Sequence, residues 1–114
     1  MGHKDLLTIC DAGFPIPMQV ERIDLALTAG IPSFVEVVKA VADDLQVEQI
    51  ILAEEIRQAN PQIEDALKAI FDGVMVGYLS HEDFKKRSAD SRAIIRTGEC
   101  SPFANVILVS GVTF

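Results

Sequence analysis

Apolar and polar positions divide the chain into short strands and short helices. Leu6-Leu7-Thr8-Ile9-Cys10 is a compact run of strand formers bounded by turn residues, the pattern of a buried strand. Asp11 follows where that strand should end, and Gly13, Pro15 and Pro17 keep a helix from starting at once. Arg22-Ile23-Asp24-Leu25-Ala26-Leu27 largely alternates polar and apolar residues and predicts a half-buried strand at a sheet edge. After the break at Gly30-Ile31-Pro32, Ser33 and Glu36 have capping-box spacing. Phe34, Val37, Val38, Val41 and Leu45 then share one helical face. Val47 to Ala53 predicts a central strand, followed directly by Glu54 and Glu55. Asn60-Pro61 is a helix start, with Ile63, Ala66, Leu67 and Ile70 as its buried stripe and Gly73 as its end. Val74 to Leu79 predicts another strand. Ser80 caps the next helix, with Asp83 in the capping-box position, which places His81 in the first helical turn. Ala93 to Arg96 and Val106 to Val109 predict the last two strands, separated by the turn-rich loop from Thr97 to Pro102.

The order is strand, strand, helix, strand, helix, strand, helix, strand, strand. It predicts an α/β fold: a single three-layer-like domain with a largely parallel sheet flanked by helices. At 114 residues the chain corresponds to one domain. Its apolar end, Gly111-Val112-Thr113-Phe114, predicts that Phe114 is buried in the core or against another subunit.

Charge and composition narrow the function. Ten Lys and Arg against 17 Asp and Glu leave a formal charge of −7, which argues against a nucleic-acid partner. Lys85-Lys86-Arg87 is the only basic cluster and reads as a solvated helix face. No apolar run is long enough to cross a bilayer, and the polar start Met1-Gly2-His3-Lys4-Asp5 does not lead into a signal peptide. Two cysteines, Cys10 and Cys100, are too few for a disulfide framework and point to a reduced, cytoplasmic setting. There is no zinc spacing, P-loop or glycine-rich dinucleotide loop.

Asp11 is the first candidate for chemistry, because ligands of open α/β sheets collect outside the carboxyl ends of the strands. His3, eight residues upstream, is one of two histidines. An acid and an imidazole flanking one strand are a candidate acid–base pair; a turn-capping Asp11 with an idle terminal His3 is the other reading. His81 would also stand at a strand's carboxyl end, where a surface role is its alternative.

Long ordered stretches carry a resemblance. They are Gly2-His3-Lys4-Asp5, Cys10-Asp11-Ala12-Gly13-Phe14-Pro15-Ile16-Pro17, Arg22 to Leu27, Gly30 to Phe34, Ala53 to Ile56, Ile95 to Asn105 and Gly111 to Phe114. Through them the sequence resembles the family of ribose pyranases and fucose mutarotases over nearly its whole length, and its details favour the ribose branch. The resemblance implies interconversion of the pyranose and furanose forms of ribose without cofactor or metal. It implies His3 as proton donor, with sugar contacts on Asp11, His81, Phe103, Ala104 and Asn105 and, less directly, on Lys85. It also implies a homo-oligomer of pentameric rings stacked into a decamer, with sugar sites near subunit boundaries. Two departures stand out. The family has a further segment before the Gly-His pair, which this sequence is expected to lack, and Phe103 stands where the family commonly has tyrosine. The alternatives are a non-catalytic sugar-binding module, an L-fucose mutarotase, and a metal site built from His3, Asp11 and His81.

Overall fold

The computed structural model describes residues 2–111; the expectation for Phe114 lies outside the described residues. The strands are β1 (Leu6–Cys10), β2 (Arg22–Asp24), β3 (Val47–Ala53), β4 (Met75–Leu79), β5 (Ala93–Arg96) and β6 (Val106–Ser110). The helices are α1 (Phe34–Ala42), α2 (Ile56–Ala59), α3 (Pro61–Ile70) and α4 (His81–Ser88). The strands form one six-stranded sheet in the order β2-β5-β1-β6-β3-β4. β2, β5 and β1 pair in parallel, as do β3 and β4. β6 runs antiparallel to both neighbours, β1 and β3. The largely parallel sheet is therefore two parallel blocks joined by one reversed strand.

Strand alternation sorts side chains to the two faces. Leu7, Ile9, Ile50, Leu52, Val106 and Leu108 point to the face covered by α1, α2 and α3, against Phe34, Val38, Ile56 and Leu67. Leu6, Cys10, Ile51, Ile94 and Ile107 point to the other face, covered by Phe84 of α4 and by Phe14 and Val20 of the first loop. This is the expected three-layer arrangement. Full burial of each large aliphatic side chain stabilises the fold by roughly 1.5–3 kcal/mol. Thr8 shares the second face, where its hydroxyl hydrogen-bonds Ser91 Oγ at 2.7 Å.

The helix starts follow the local signals. Ser33 and Glu36 form both halves of a capping box. Asn60 Oδ1 accepts from Ile63 N–H and Ser80 Oγ from Asp83 N–H. Three expectations need correction. β2 spans Arg22–Asp24 and is exposed along its length, not half-buried. Asp24 Oδ1 accepts from Ala26 N–H (3.1 Å) and its carboxylate binds Arg96, so the chain turns away from the sheet there. On α3 the buried positions are Leu67 and Glu64, with Ile63 and Ile70 half-covered. Glu64 tolerates burial because Tyr78 OH donates to it (2.5 Å) and Lys68 Nζ lies at 3.4 Å. The four-residue helix α2 is absent from the sequence-derived order, because a single turn carries no periodicity to read.

Gly98 fixes one side of the loop after β5. Its N–H donates to Pro32 O (2.9 Å) and its carbonyl accepts from Gly30 N–H (2.6 Å). A Cβ on Gly98 would collide with the Ile31 carbonyl oxygen and stand 2.6 Å from the Ile31 nitrogen. Gly98→Ala should therefore destabilise the fold by about 1–3 kcal/mol in urea unfolding, as overpacking against backbone does. Gly13→Ala, whose Cβ would meet nothing closer than 3.9 Å, should leave the midpoint close to that of the parent.

Candidate functional site

The carboxyl ends of β1, β4 and β5 lie along one edge of the sheet. Because β6 is reversed, its amino-terminal approach, Phe103-Ala104-Asn105, reaches the same edge. A cleft of about 480 Å³ opens there, walled by residues 11–15, His81, residues 99–103 and Asn105.

The walls are tied together by hydrogen bonds between elements distant in sequence. Asp11 N–H donates to Asn105 Oδ1 (2.9 Å), joining the end of β1 to the start of β6. Ala12 N–H donates to Glu99 O (2.9 Å), and Arg96 Nε donates to Ala12 O (2.9 Å). Thr97 Oγ1 donates to Cys10 O (2.8 Å). The Asp11 carboxylate accepts from Gly13 N–H at 3.1 Å. Burial pushes its pKa above the usual carboxylate range, outweighing the Gly13 N–H, the His81 charge and the Asn105 side chain, which all favour the anion.

His81 is set by two anchors. It occupies the first helical position of α4, after the Ser80 cap. Its N–H donates to both carboxylate oxygens of Glu55, at 3.0 and 3.1 Å. The imidazole lies edge-to-face between Phe14 (6.3 Å between centroids) and Phe103 (5.0 Å). Its Nδ1 is buried and has no hydrogen-bond partner among the described residues. Phe103 itself has φ +55°, a conformation costing a bulky residue on the order of 1–3 kcal/mol. A carboxylate, an imidazole and an amide thus converge between phenyl rings. Such a cleft offers polar partners to hydroxyls and apolar rings to the C–H face of a small polyol.

Asp11, His81, Phe103 and Asn105 come together on the cleft wall, while Ala104 is buried behind it. Lys85 is no part of the wall; its Nζ is held 2.8 Å from Glu82 Oε1. His3 precedes β1 and so stands at the opposite end of the sheet, beyond a strand about 17 Å long. There its Nε2 lies 3.3 Å from Glu48 Oε2, and Lys4 Nζ lies 2.7 Å from Glu48 Oε1. Within one chain His3 and Asp11 are therefore not an acid–base pair, and His3, Asp11 and His81 do not form a metal site. Among the described residues no group of three His, Cys, Asp or Glu is placed to hold a metal ion.

Several wall and support residues escaped the sequence reading. Glu55 was legible only as an acid at a strand end. Glu99 accepts from Phe34 N–H (2.9 Å) and Ser101 Oγ (2.8 Å). Burial would raise its carboxyl, but these donors outweigh it and hold the pKa below the usual range.

The raised pKa of Asp11 has a signed consequence for stability. The folded state holds this proton more tightly than the unfolded chain, whose carboxyl has its ordinary value of 3.8. The contribution is complete below that pH and is lost as pH rises through the higher folded value. Asp11→Asn keeps an acceptor for Gly13 N–H and removes the half-buried charge. Its stability relative to the parent should therefore increase between pH 3.5 and 7 in urea unfolding; a constant difference would contradict the assignment.

A family model described as the RbsD / FucU transport protein family matches residues 1–113. D-ribose pyranases of Cronobacter sakazakii and of Haemophilus influenzae are each 52% identical, in matches covering 100% of this chain and 88% of theirs. The structure of Bacillus subtilis RbsD complexed with D-ribose superimposes with a TM-score of 0.98 at 43% identity, covering 100% of this chain and 87% of that one. The fucose mutarotase of Streptococcus pneumoniae in complex with L-fucose superimposes with a TM-score of 0.81 at 26% identity, over 100% of this chain and 87% of that one. The chain belongs to the RbsD / FucU family.

Proposed function

We propose that this protein is an intramolecular isomerase, a single-domain D-ribose pyranase that interconverts the pyranose and furanose forms of ribose. The observation that carries the reading is the cleft, in which Asp11, His81, Phe103 and Asn105 converge, in a chain so similar to a protein complexed with D-ribose. The greater identity to ribose pyranases than to the fucose mutarotase favours ribose over fucose.

The reaction needs a proton removed from the anomeric hydroxyl and a proton delivered to the ring oxygen. The open aldehyde then recloses through a different hydroxyl. No electrons are transferred, and each proton taken up is returned. Imidazole suits both steps because its ordinary pKa of about 6.5 leaves both forms available near neutrality. Asp11 accepts from sugar hydroxyls, Asn105 donates and accepts, and Phe103 offers a ring face. His3 is the proton donor, and it reaches the sugar from a second copy of the chain. Two features support this. His3 is paired with Glu48 at the end of the sheet away from the cleft. Ile23, Leu25, Leu27 and Ile31 leave an apolar surface of the kind that marks subunit contacts. Pentameric rings stacked into a decamer are the assembly proposed. No helix among the described residues is long and apolar enough to cross a membrane. Both cysteines are free, which fits a reducing cytoplasm.

Magnetisation-transfer NMR on equilibrated ribose tests the activity: the protein should accelerate pyranose–furanose exchange, and no acceleration would refute the reading. His3→Ala should leave the fold intact and slow exchange by about 10²–10⁴-fold, the range of general acid–base catalysis. Asp11→Asn, which weakens the acceptor for sugar hydroxyls, should slow exchange as well, so each variant alone is slow. Equal amounts, unfolded together and reassembled, should recover about a quarter of the parent rate, because one site in four then combines both intact residues. No recovery from mixed assemblies would show that His3 does not act across the subunit boundary.

A further inference from the structure

Asn60 caps α3, but a cap uses only part of what its side chain does here. Oδ1 accepts from Ile63 N–H at 3.4 Å, as Asp, Ser or Thr would at that position. Nδ2 faces the cleft loop and donates twice, to Ser101 Oγ (3.0 Å) and to Pro102 O (2.9 Å). The residue is only 7% exposed. Both amide hydrogens are therefore committed to one loop, and the oxygen to one helix.

That loop brings two of the proposed sugar contacts into place. Pro102 immediately precedes Phe103, whose positive φ requires outside support, and Phe103 O accepts from Asn105 N–H at 2.9 Å. Phe103 packs edge-on against His81, and Asn105 Oδ1 holds Asp11 N–H. Ser101 passes its own hydroxyl hydrogen to Glu99, which in turn holds the first residue of α1. The amino-terminal ends of two helices thus grip the same segment, and Asn60 is the side chain that grips it nearest Phe103.

We propose that Asn60 is a positioning residue of the sugar site: its two donors hold Pro102 to Asn105 in the strained conformation that presents Phe103 and Asn105 to the substrate. The proposal rests on the mutarotase reading. Because the contacts it sets are made to the bound sugar before reaction, its effect falls on KM and leaves kcat nearly unchanged.

Asn60→Asp separates the two roles. It keeps a cap acceptor for Ile63 N–H and replaces both donors with carboxylate oxygen facing Ser101 Oγ and Pro102 O. Exchange rates measured across ribose concentrations, well below the melting temperature of either protein, should show KM raised on the order of tenfold with kcat within about threefold. Tm falls as well, because the new carboxylate is little exposed and faces the Pro102 carbonyl oxygen. Asn60→Ala should raise KM similarly and also lower Tm, because the cap is lost too. Ser101→Ala, which leaves the Pro102 contact in place, should raise KM by less. A parent-like KM in Asn60→Asp overturns the proposal, and so does a loss of kcat that only follows a loss of Tm. If the parent binds ribose without exchanging it, the mutarotase reading fails alone, and calorimetric Kd values must then show the same weakening in Asn60→Asp. A parent that neither exchanges nor binds ribose overturns both.

Discussion

The antiparallel insertion of β6 between β1 and β3 is the constraint on which the other parts depend. Without it the sheet is two separate parallel pieces, β2-β5-β1 and β3-β4, each with an open edge. β6 is buried throughout and pairs on both sides, so its polar backbone is satisfied by two strands rather than by water. Its direction matters as much as its place. A parallel strand there would bring its carboxyl end to the cleft and leave Phe103 and Asn105 at the far edge. Reversal delivers the approach to β6 to the edge where β1 and β4 deliver Asp11 and His81.

The cleft wall is held by side chains that bind the backbone of some other element. Glu55 holds the start of α4, Glu99 the start of α1, Thr97 the end of β1, and Arg96 the Asp11 loop. Each bond is modest by itself, about 0.5–1.5 kcal/mol net. Together they fix loops that would otherwise be ordered only on binding, and that ordering would be subtracted from affinity. Carboxylates are well suited to this work at helix starts, where unpaired N–H groups and the helix dipole favour negative charge. The acidic residues of this chain thus include structural anchors close to the site, and they need no cationic partner to account for them.

The elements were legible in the sequence because their causes are local. Ser33 with Glu36, Asn60 with Pro61, and Ser80 with Asp83 mark helix starts within four residues, and apolar runs mark the buried strands. What could not be read is what depends on distant pairing. A run such as Val106 to Val109 is apolar in either direction, so the reversal of β6 leaves no trace in it. Glu99 meets Phe34 across 65 positions and Asn60 meets Ser101 across 41, and neither partner hints at the other. Asp11 and His81 are legible because Asp11 follows β1 directly and His81 stands one residue beyond the end of β4. A pairing of His3 with Asp11 inside one chain is ruled out for the opposite reason: eight residues look close in sequence, but an extended strand carries its two ends far apart.

That separation is what the proposed assembly would resolve. A domain of 114 residues has little chain to spare for enclosing a sugar, and its cleft stays open on one side. The carboxylate, one imidazole and the amide lie at one end of the sheet, and the second imidazole lies at the other. In the proposed ring each copy gives His3 to a neighbour and receives one in return, so contacts of a single type both close the clefts and complete the chemistry. Two different patches of the same chain then meet at each boundary, which is the heterologous contact that generates closed rings. Covering the Ile23 to Ile31 surface would supply the driving force, and placing the proton donor would follow from the same docking step. On this reading assembly and catalysis are selected together, because any change that loosens the boundary also removes an acid from the site.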